Sequence, residues 1–415
     1  MKKIWKIAVS VAVSAFMAAS LTACGGSGAS SASEPAKEET KEEAPQEEAA
    51  EGSSAAIIIG ASGPLTGDAA VYGMDVKNAA EMAVEEVNAQ GGIQFELHIE
   101  DDVNDAEKAV NAYGLLKDAG MQISLLTVTS TPAAAVAPSY QEDKTFALTP
   151  SASSPSVTYR DGTNMVDPFG NVFQMCFSDP GQGQGSAAYI AAHPDLGTKV
   201  AIIYKNDDNY STGIFNTFKA QAAKDNLEIV YEGAFAGTAS DFSVQLQEAQ
   251  NAGADLIFLP IYYQPASLIL NQANAMGYAP TFFGVDGMDG ILTLENFDTS
   301  LAEGVYLLTP FNTNAEDELT QNFVANYRAR YGADPTQFAA DAYDCIYALK
   351  AACEAAGITA DMSNEEICEK LVAQFTSMEF TGLTGTGMTW NANGEVSKVP
   401  HGMIIKDGVY VGVED

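Results

Sequence analysis

Positive charge is scarce in this 415-residue chain: 20 Lys and Arg stand against 55 Asp and Glu, a net charge of −35 at pH 7. Such a surface repels phosphate backbones, which excludes nucleic-acid binding, and it disfavours docking on anionic lipid. Cysteine is sparse, with residues 24, 176, 345, 353 and 368 only. No CxxC pair and no zinc-finger spacing occurs among them. Cys345 and Cys353 fall on one predicted helix, about 12 Å apart by helical rise, too far to bond each other. Cys368 could pair with one of them, but buried free thiols are the simpler expectation. The three histidines, His98, His193 and His401, are scattered and show no ligand spacing. Residues 181–185, GQGQG, have the composition of a phosphate loop, but no Lys-Ser/Thr follows and the strand–GxGxxG–helix spacing fails. They read as the start of a helix. Without a catalytic His, a metal cluster, a nucleophile elbow or a cofactor loop, the chain is not expected to be an enzyme or to carry a cofactor. Past the first twenty residues no apolar run reaches membrane length.

What is present begins at the N-terminus. Lys2, Lys3 and Lys6 precede an apolar run at 7–20, and then comes Leu21-Thr22-Ala23-Cys24-Gly25. Charge, apolar run and L-T-A-C in that order resemble a bacterial lipoprotein signal, so 1–23 are expected to be removed and Cys24 to carry lipid. Residues 24–54 hold eight Glu, two Lys and little to bury. They are expected to form a disordered acidic tether between anchor and domain. The signal carries +3 and the tether −6, which leaves −32 for residues 55–415. Those residues suffice for two domains with real cores.

From residue 56 strands and helices alternate. Strands are predicted at 56–60, 95–99, 123–128 and 146–149, with helices at 73–89, 105–119 and 132–141 between them. The first helix carries Val76, Ala79, Ala80, Ala83, Val84 and Val87 on one stripe and stops at Gly91-Gly92. The pattern restarts after 172–177. Strands at 200–204, 228–231, 256–260 and 281–284 then alternate with helices at 211–225, 240–252 and 265–276. A strand at 304–308, long helices at 315–331 and 337–356, and short C-terminal strands with a turn at 391–394 complete the chain. Such alternation predicts an α/β fold of parallel sheets covered by helices.

Ligands of open α/β sheets bind beyond the carboxyl ends of strands. Four such ends are rich in polar groups. One is TPSASSPS at 149–156, where small hydroxyl residues sit between Pro150 and Pro155. Another is Val128-Thr129-Ser130-Thr131-Pro132, in which Thr131 reads as an N-cap and Pro132 as the first helical residue. That helix start would aim N–H groups at an anion. The others are Ile261-Tyr262-Tyr263 and Val285-Asp286-Gly287. Tyr262 and Tyr263 alternate by strand period, so only one should face a ligand. Asp286 before glycine also fits a turn role, and Asp289 is its neighbouring alternative.

Six stretches in order, at 62–93, 148–158, 177–190, 204–213, 254–278 and 334–352, resemble the branched-chain amino acid-binding proteins of ABC importers. That family belongs to the type I periplasmic-binding proteins. The resemblance implies two Rossmann-like lobes with parallel sheets, joined by a three-segment hinge and closing on ligand. It implies a first lobe of 55–173 plus 306–380 and a second of 174–305 plus 381–415. It further implies that Ser130 holds the ligand carboxylate and that Ser151, Ala152 and Ser153 supply carbonyl and hydroxyl contacts. Tyr72, Tyr210 and Tyr263 match ligand-contact positions. Asp286 matches the acid that balances the ammonium, usually a Glu, which is one methylene longer. The disulfide of the family's first lobe has no counterpart here, its positions falling near Asn104 and Thr129. Implied partners are an apolar amino acid, ABC permease subunits and, through Cys24, the outer face of the cell membrane, for a monomeric protein. A binder or sensor of another small ligand on the same fold, an amide or aromatic acid, is the alternative.

Overall fold

The computed structural model describes residues 55–413. The signal, Cys24 and the tether lie outside them. The first half builds β1 (Ile57–Gly63), α1 (Ala70–Ala89), β2 (Phe95–Asp101), α2 (Ala106–Asp118), β3 (Ile123–Thr127), α3 (Ser130–Glu142) and β4 (Phe146–Thr149). A short helix α4 (Pro155–Thr158) and a small hairpin, β5 (Tyr159–Asp161) and β6 (Val166–Pro168), precede β7 (Val172–Gln174). Strands β2-β1-β3-β4-β7 form one sheet, parallel throughout, with Ile59 of β1 facing Leu97 on one side and Ile123 on the other. A parallel sheet is buried on both faces, which explains why β3 and β4 are apolar runs with no exposed position.

The second half runs through α5 (Asp179–Ala192), β8 (Lys199–Lys205), α6 (Asn209–Asp225), β9 (Glu228–Phe235), α7 (Ser243–Asn251), β10 (Leu256–Leu259), α8 (Tyr263–Met276), β11 (Thr281–Gly284) and β12 (Tyr306–Thr309). Helices α9 (Glu318–Tyr331), α10 (Gln337–Ala356) and α11 (Asn364–Phe375) follow, then β13 (His401–Lys406) and β14 (Val409–Gly412). The second sheet has the order β14-β13-β12-β11-β10-β8-β9, with only β13 and β14 antiparallel to their neighbours. The GQGQG stretch lies inside α5, where Gly183 lets α6 approach: a Cβ there would sit 2.1 Å from the Thr217 hydroxyl.

Two of the expected lobe crossings are displaced. Strand β12 is hydrogen-bonded into the second sheet, although 306–380 were expected with the first lobe. Residues 381–398 lean on the first sheet's side. The Trp390 ring meets Phe375 at 4.9 Å, its indole N–H donates to the Gln174 carbonyl at 2.8 Å, and Gln174 N–H donates to the Gly394 carbonyl. Helices α9 to α11 pack on the same side, Phe375 against Phe146 and Arg330 against Glu85. The chain therefore passes between the sheets after β7, after β12 and before β13. Among the described residues the four cysteines are buried and free. No helix among them is long and apolar enough to cross a membrane.

Candidate functional site

Strand ends of both sheets meet around one cavity, lined among others by Tyr72, Thr129, Ser130, Ser151, Tyr210 and Asp286, and walled by Val128, Tyr262, Gly287 and Phe338. None of its lining residues is Lys or Arg. Tyr72 lies in the first turn of α1. Its hydroxyl donates to the Gly287 carbonyl at 2.5 Å and accepts from Tyr263 N–H at 3.3 Å, so it ties the first sheet's side to the second. Its ring meets Tyr262, Tyr263 and Phe338 edge-on at 5.3, 5.0 and 4.6 Å. Such rings supply an apolar wall with a polar tip.

The TPSASSPS turn is bound down on two sides. The Ser130 hydroxyl oxygen accepts from the N–H groups of Ser153 and Ser154, each at 3.2 Å. With its acceptor capacity so used, its proton remains to be donated. Ser151 lines the cavity, but its hydroxyl donates to the Val128 carbonyl. Ala152 and Ser153 are not in the lining. Ala152 is a core residue whose carbonyl accepts from the Gln174 amide at 2.8 Å. The Ser153 carbonyl accepts from Asp179 N–H at 3.0 Å, while its hydroxyl is buried without a partner. The Thr129 hydroxyl is likewise buried and unpartnered, and Thr129 does line the cavity. Helix α3 starts at Ser130 after Thr129, two residues before the expected Thr131 cap. Thr131 is used elsewhere: its hydroxyl reaches Asp208 at 3.4 Å and accepts from Asn209 N–H at 3.2 Å, a second tie between the two sides.

Tyr210, in the first turn of α6, donates to Asp286 Oδ1 at 2.6 Å and accepts from Gly287 N–H at 2.9 Å. A Cβ at 287 would sit 2.5 Å from the Tyr210 hydroxyl, so any larger residue there would push Tyr210 off Asp286. Asp286 Oδ2 accepts from the Gln182 amide at 2.7 Å. Burial pushes the Asp286 carboxyl up to about 7, against the pull of Tyr210, Gly287 N–H and Gln182 toward the ionised form. Asp289 is different. Its oxygens accept from Gln337 N–H at 2.8 Å, at the start of α10, and from Gly290 N–H at 2.9 Å, and it is not in the lining. Of the two tyrosines, Tyr262 lines the cavity and Tyr263 does not. Strand β10 ends at Leu259 and Tyr263 opens α8, so strand alternation does not govern the pair; the Tyr263 hydroxyl accepts from Val71 N–H at 3.3 Å.

Asp179 and Gln182 were not singled out in the sequence. Both are fully buried in the first turn of α5. Neither Asp179 oxygen has a hydrogen-bond partner, though Ser153 and Ser154 stand close enough to temper the large upward push that burial gives its carboxyl. The available signal was their i, i+3 spacing on a helix face that also carries Gly183. The cavity measures about 10 Å³, room for about one water and far too little for an amino acid. On the far side of Tyr210 and Tyr262 lies a chamber of about 480 Å³, reaching Asp68, Asn104 and Gln264. To admit a solute between the sheets, the Tyr72–Gly287 and Thr131–Asp208 ties must part, which is a hinge motion.

The buried acids give a pH dependence of stability. Burial raises Asp286 to about 7 and both Asp289 and Asp102 to about 6, from 3.8. A carboxyl whose folded pKa exceeds its unfolded one contributes stability that is complete below the unfolded value and lost as pH rises through the folded one. Carboxylates held below 3.8, such as Asp334 beside Arg328, are ionised in both states above pH 5 and do not offset this. Without added solute, the protein should melt at a higher temperature at pH 5 than at pH 8 by scanning fluorimetry. A flat or reversed profile would contradict the burial of these acids.

The sequence profile of the periplasmic binding proteins matches residues 56–404, and the chain belongs to that family. Its fold is the type I form, and the family places the chain on the extracytoplasmic side. The Leu/Ile/Val-binding protein homolog 3 of Brucella melitensis is 29% identical over 321 residues, 75% of this chain and 82% of that protein. The Leu/Ile/Val-binding protein BraC3 of Rhizobium johnstonii is 28% identical over 311 residues, 74% of this chain and 81% of its own. The branched-chain amino acid transporter substrate-binding protein LivJ of Streptococcus pneumoniae, solved with isoleucine, superposes with a TM-score of 0.75 at 25% identity, covering 86% of this chain and all of that one. A solute-binding protein of R. palustris, solved with benzoate, has a TM-score of 0.76 at 20% identity, covering 86% and 96%, a likeness of fold alone.

Proposed function

We propose that this chain captures a branched-chain or similarly apolar amino acid between two lobes and delivers it to an ABC permease. It does so as a monomer held at the cell membrane by lipid on Cys24. The observation that carries the reading is Asp286: a buried acid at a cavity of aromatic and hydroxyl groups, with no basic residue in the lining. An ammonium group would balance that acid. Hydroxyls of Ser130 and Thr129 would serve the carboxylate, with Ser153 behind them, and Val128, Tyr72 and Phe338 would face an apolar side chain. Tyr210 and Tyr262 complete the wall, and Ser151 offers backbone groups; Ala152 and Tyr263 act behind this surface. The passages of the chain between sheets support lobes of about 55–174 with 313–398, and 179–309 with 401–413.

A thermal-shift screen of amino acids tests the reading. A ligand bound only to the folded state adds RT ln(1 + [L]/Kd), about 2.7 kcal/mol at a hundredfold excess over Kd. Leucine, isoleucine and valine should raise the melting temperature by a few degrees, and glutamate and lysine should not. The rings of Tyr72, Tyr210, Tyr262 and Phe338 favour, second, an aromatic acid or amide; stabilisation by benzoate with no response to leucine would select it. Lipid anchoring predicts that Cys24→Ala is released from membranes or left unprocessed. A processed variant that stays in the membrane fraction would refute it.

A further inference from the structure

Gln182 occupies an unusual place at this site. It is fully buried, and its side-chain amide is matched at every point. Nε2 donates to Asp286 Oδ2 at 2.7 Å and to the Phe177 carbonyl at 3.2 Å, while Oε1 accepts from the Asp286 backbone N–H at 3.2 Å. Turning the amide over would set oxygen against oxygen twice and nitrogen against N–H once, so the network admits one orientation. Gln182 therefore grips residue 286 by backbone and side chain together. Through Phe177 it also holds the segment by which the chain passes from β7 to α5.

We propose that Gln182 is the positioning residue for the ammonium-binding carboxylate, aiming Asp286 into the cavity and linking that aim to the first crossing segment. The inference rests on the amino acid reading above. Asp286 Oδ1 is held by Tyr210, which lines the cavity and is itself fixed by the Gly287 N–H; Oδ2 is held by Gln182, which does not line it. Gln182 thus acts on the ligand only through Asp286. A side chain with this role affects recognition of the amino group and not recognition of the rest of the solute.

The test is calorimetry on the full-length protein in detergent, with leucine and its deaminated analogue 4-methylpentanoate as probes. Gln182→Met keeps the volume and removes the amide; Gln182→Glu keeps length and the acceptor oxygen and is the second variant if the first fails to fold. Either should weaken leucine 10- to 100-fold and the analogue less than threefold. In an Asp286→Asn background the same change should cost leucine little more, because the two residues act as one unit. Equal losses for both probes, or losses that add across the two sites, would overturn the positioning role and leave the amino acid reading standing. A wild-type protein that binds no amino acid would overturn both.

Discussion

Asp286→Asn is expected to abolish most amino acid binding while leaving the fold intact. The amide keeps the shape and can still pair with Tyr210, but it cannot balance an ammonium in a buried site. Removing one partner of a buried charge pair costs about 2–5 kcal/mol, or about 30- to 5,000-fold in affinity. The wild type should also show a pH signature that the variant lacks. With its carboxyl at about 7, Asp286 must lose a proton to receive an ammonium below that pH. Leucine affinity should therefore fall toward tenfold per unit as pH drops below 7, and the profile of the variant should be flat. Titration calorimetry between pH 5 and 8.5 measures both. Undiminished affinity in the variant would reduce Asp286 to a turn residue.

A second large effect is expected at a buried ion pair outside the cavity lining. Lys398 Nζ donates to Asp341 at 2.5 Å and to the Thr384 hydroxyl at 2.6 Å, with both side chains of the ion pair essentially unexposed. Asp344 lies beside them, accepting from Leu383 N–H, Thr384 N–H and the Thr384 hydroxyl. The group joins α10 to the segment that returns to β13. Lys398→Met would strand two buried acids without their cation, which costs about 3–5 kcal/mol. Adding Asp341→Leu should restore part of the loss, because it removes one of the two stranded acids and leaves an apolar pair in place of the ion pair. Chemical denaturation of the single and double variants checks this. Wild-type stability in Lys398→Met would show that the pair contributes nothing.

The α/β alternation was legible because each element carries its own periodic signal. The α1 stripe from Val76 to Val87 is buried as a unit, and β10 is the apolar run of a strand covered on both faces. The cavity was legible in part for a similar reason, since Ser130, Ser151 and Asp286 follow strand ends. What the sequence hid is non-local. Strand β12 joins the second sheet through pairings with β11 and β13, a partner nearly a hundred residues on, and nothing near Tyr306 foretells it. Tyr262 and Tyr263 both touch Tyr72, and which one lines the cavity depends on where α8 begins. Gln182 and Asp179 lie in a glycine-rich stretch, DPGQGQG, with no apolar stripe to mark which of its polar residues turn inward. Their meaning comes from Asp286, more than a hundred residues later.

A crystal structure of residues 55–415 with leucine is the most direct test of the account. It should show the lobes closed around the amino acid, in a cavity enlarged by displacement of Tyr210 or Tyr262. The ligand nitrogen should stand about 2.7–2.9 Å from an Asp286 oxygen. The ligand carboxylate should take the hydroxyls of Ser130 and its neighbours. Leucine bound elsewhere, or bound here with its ammonium away from Asp286, would contradict the central claim.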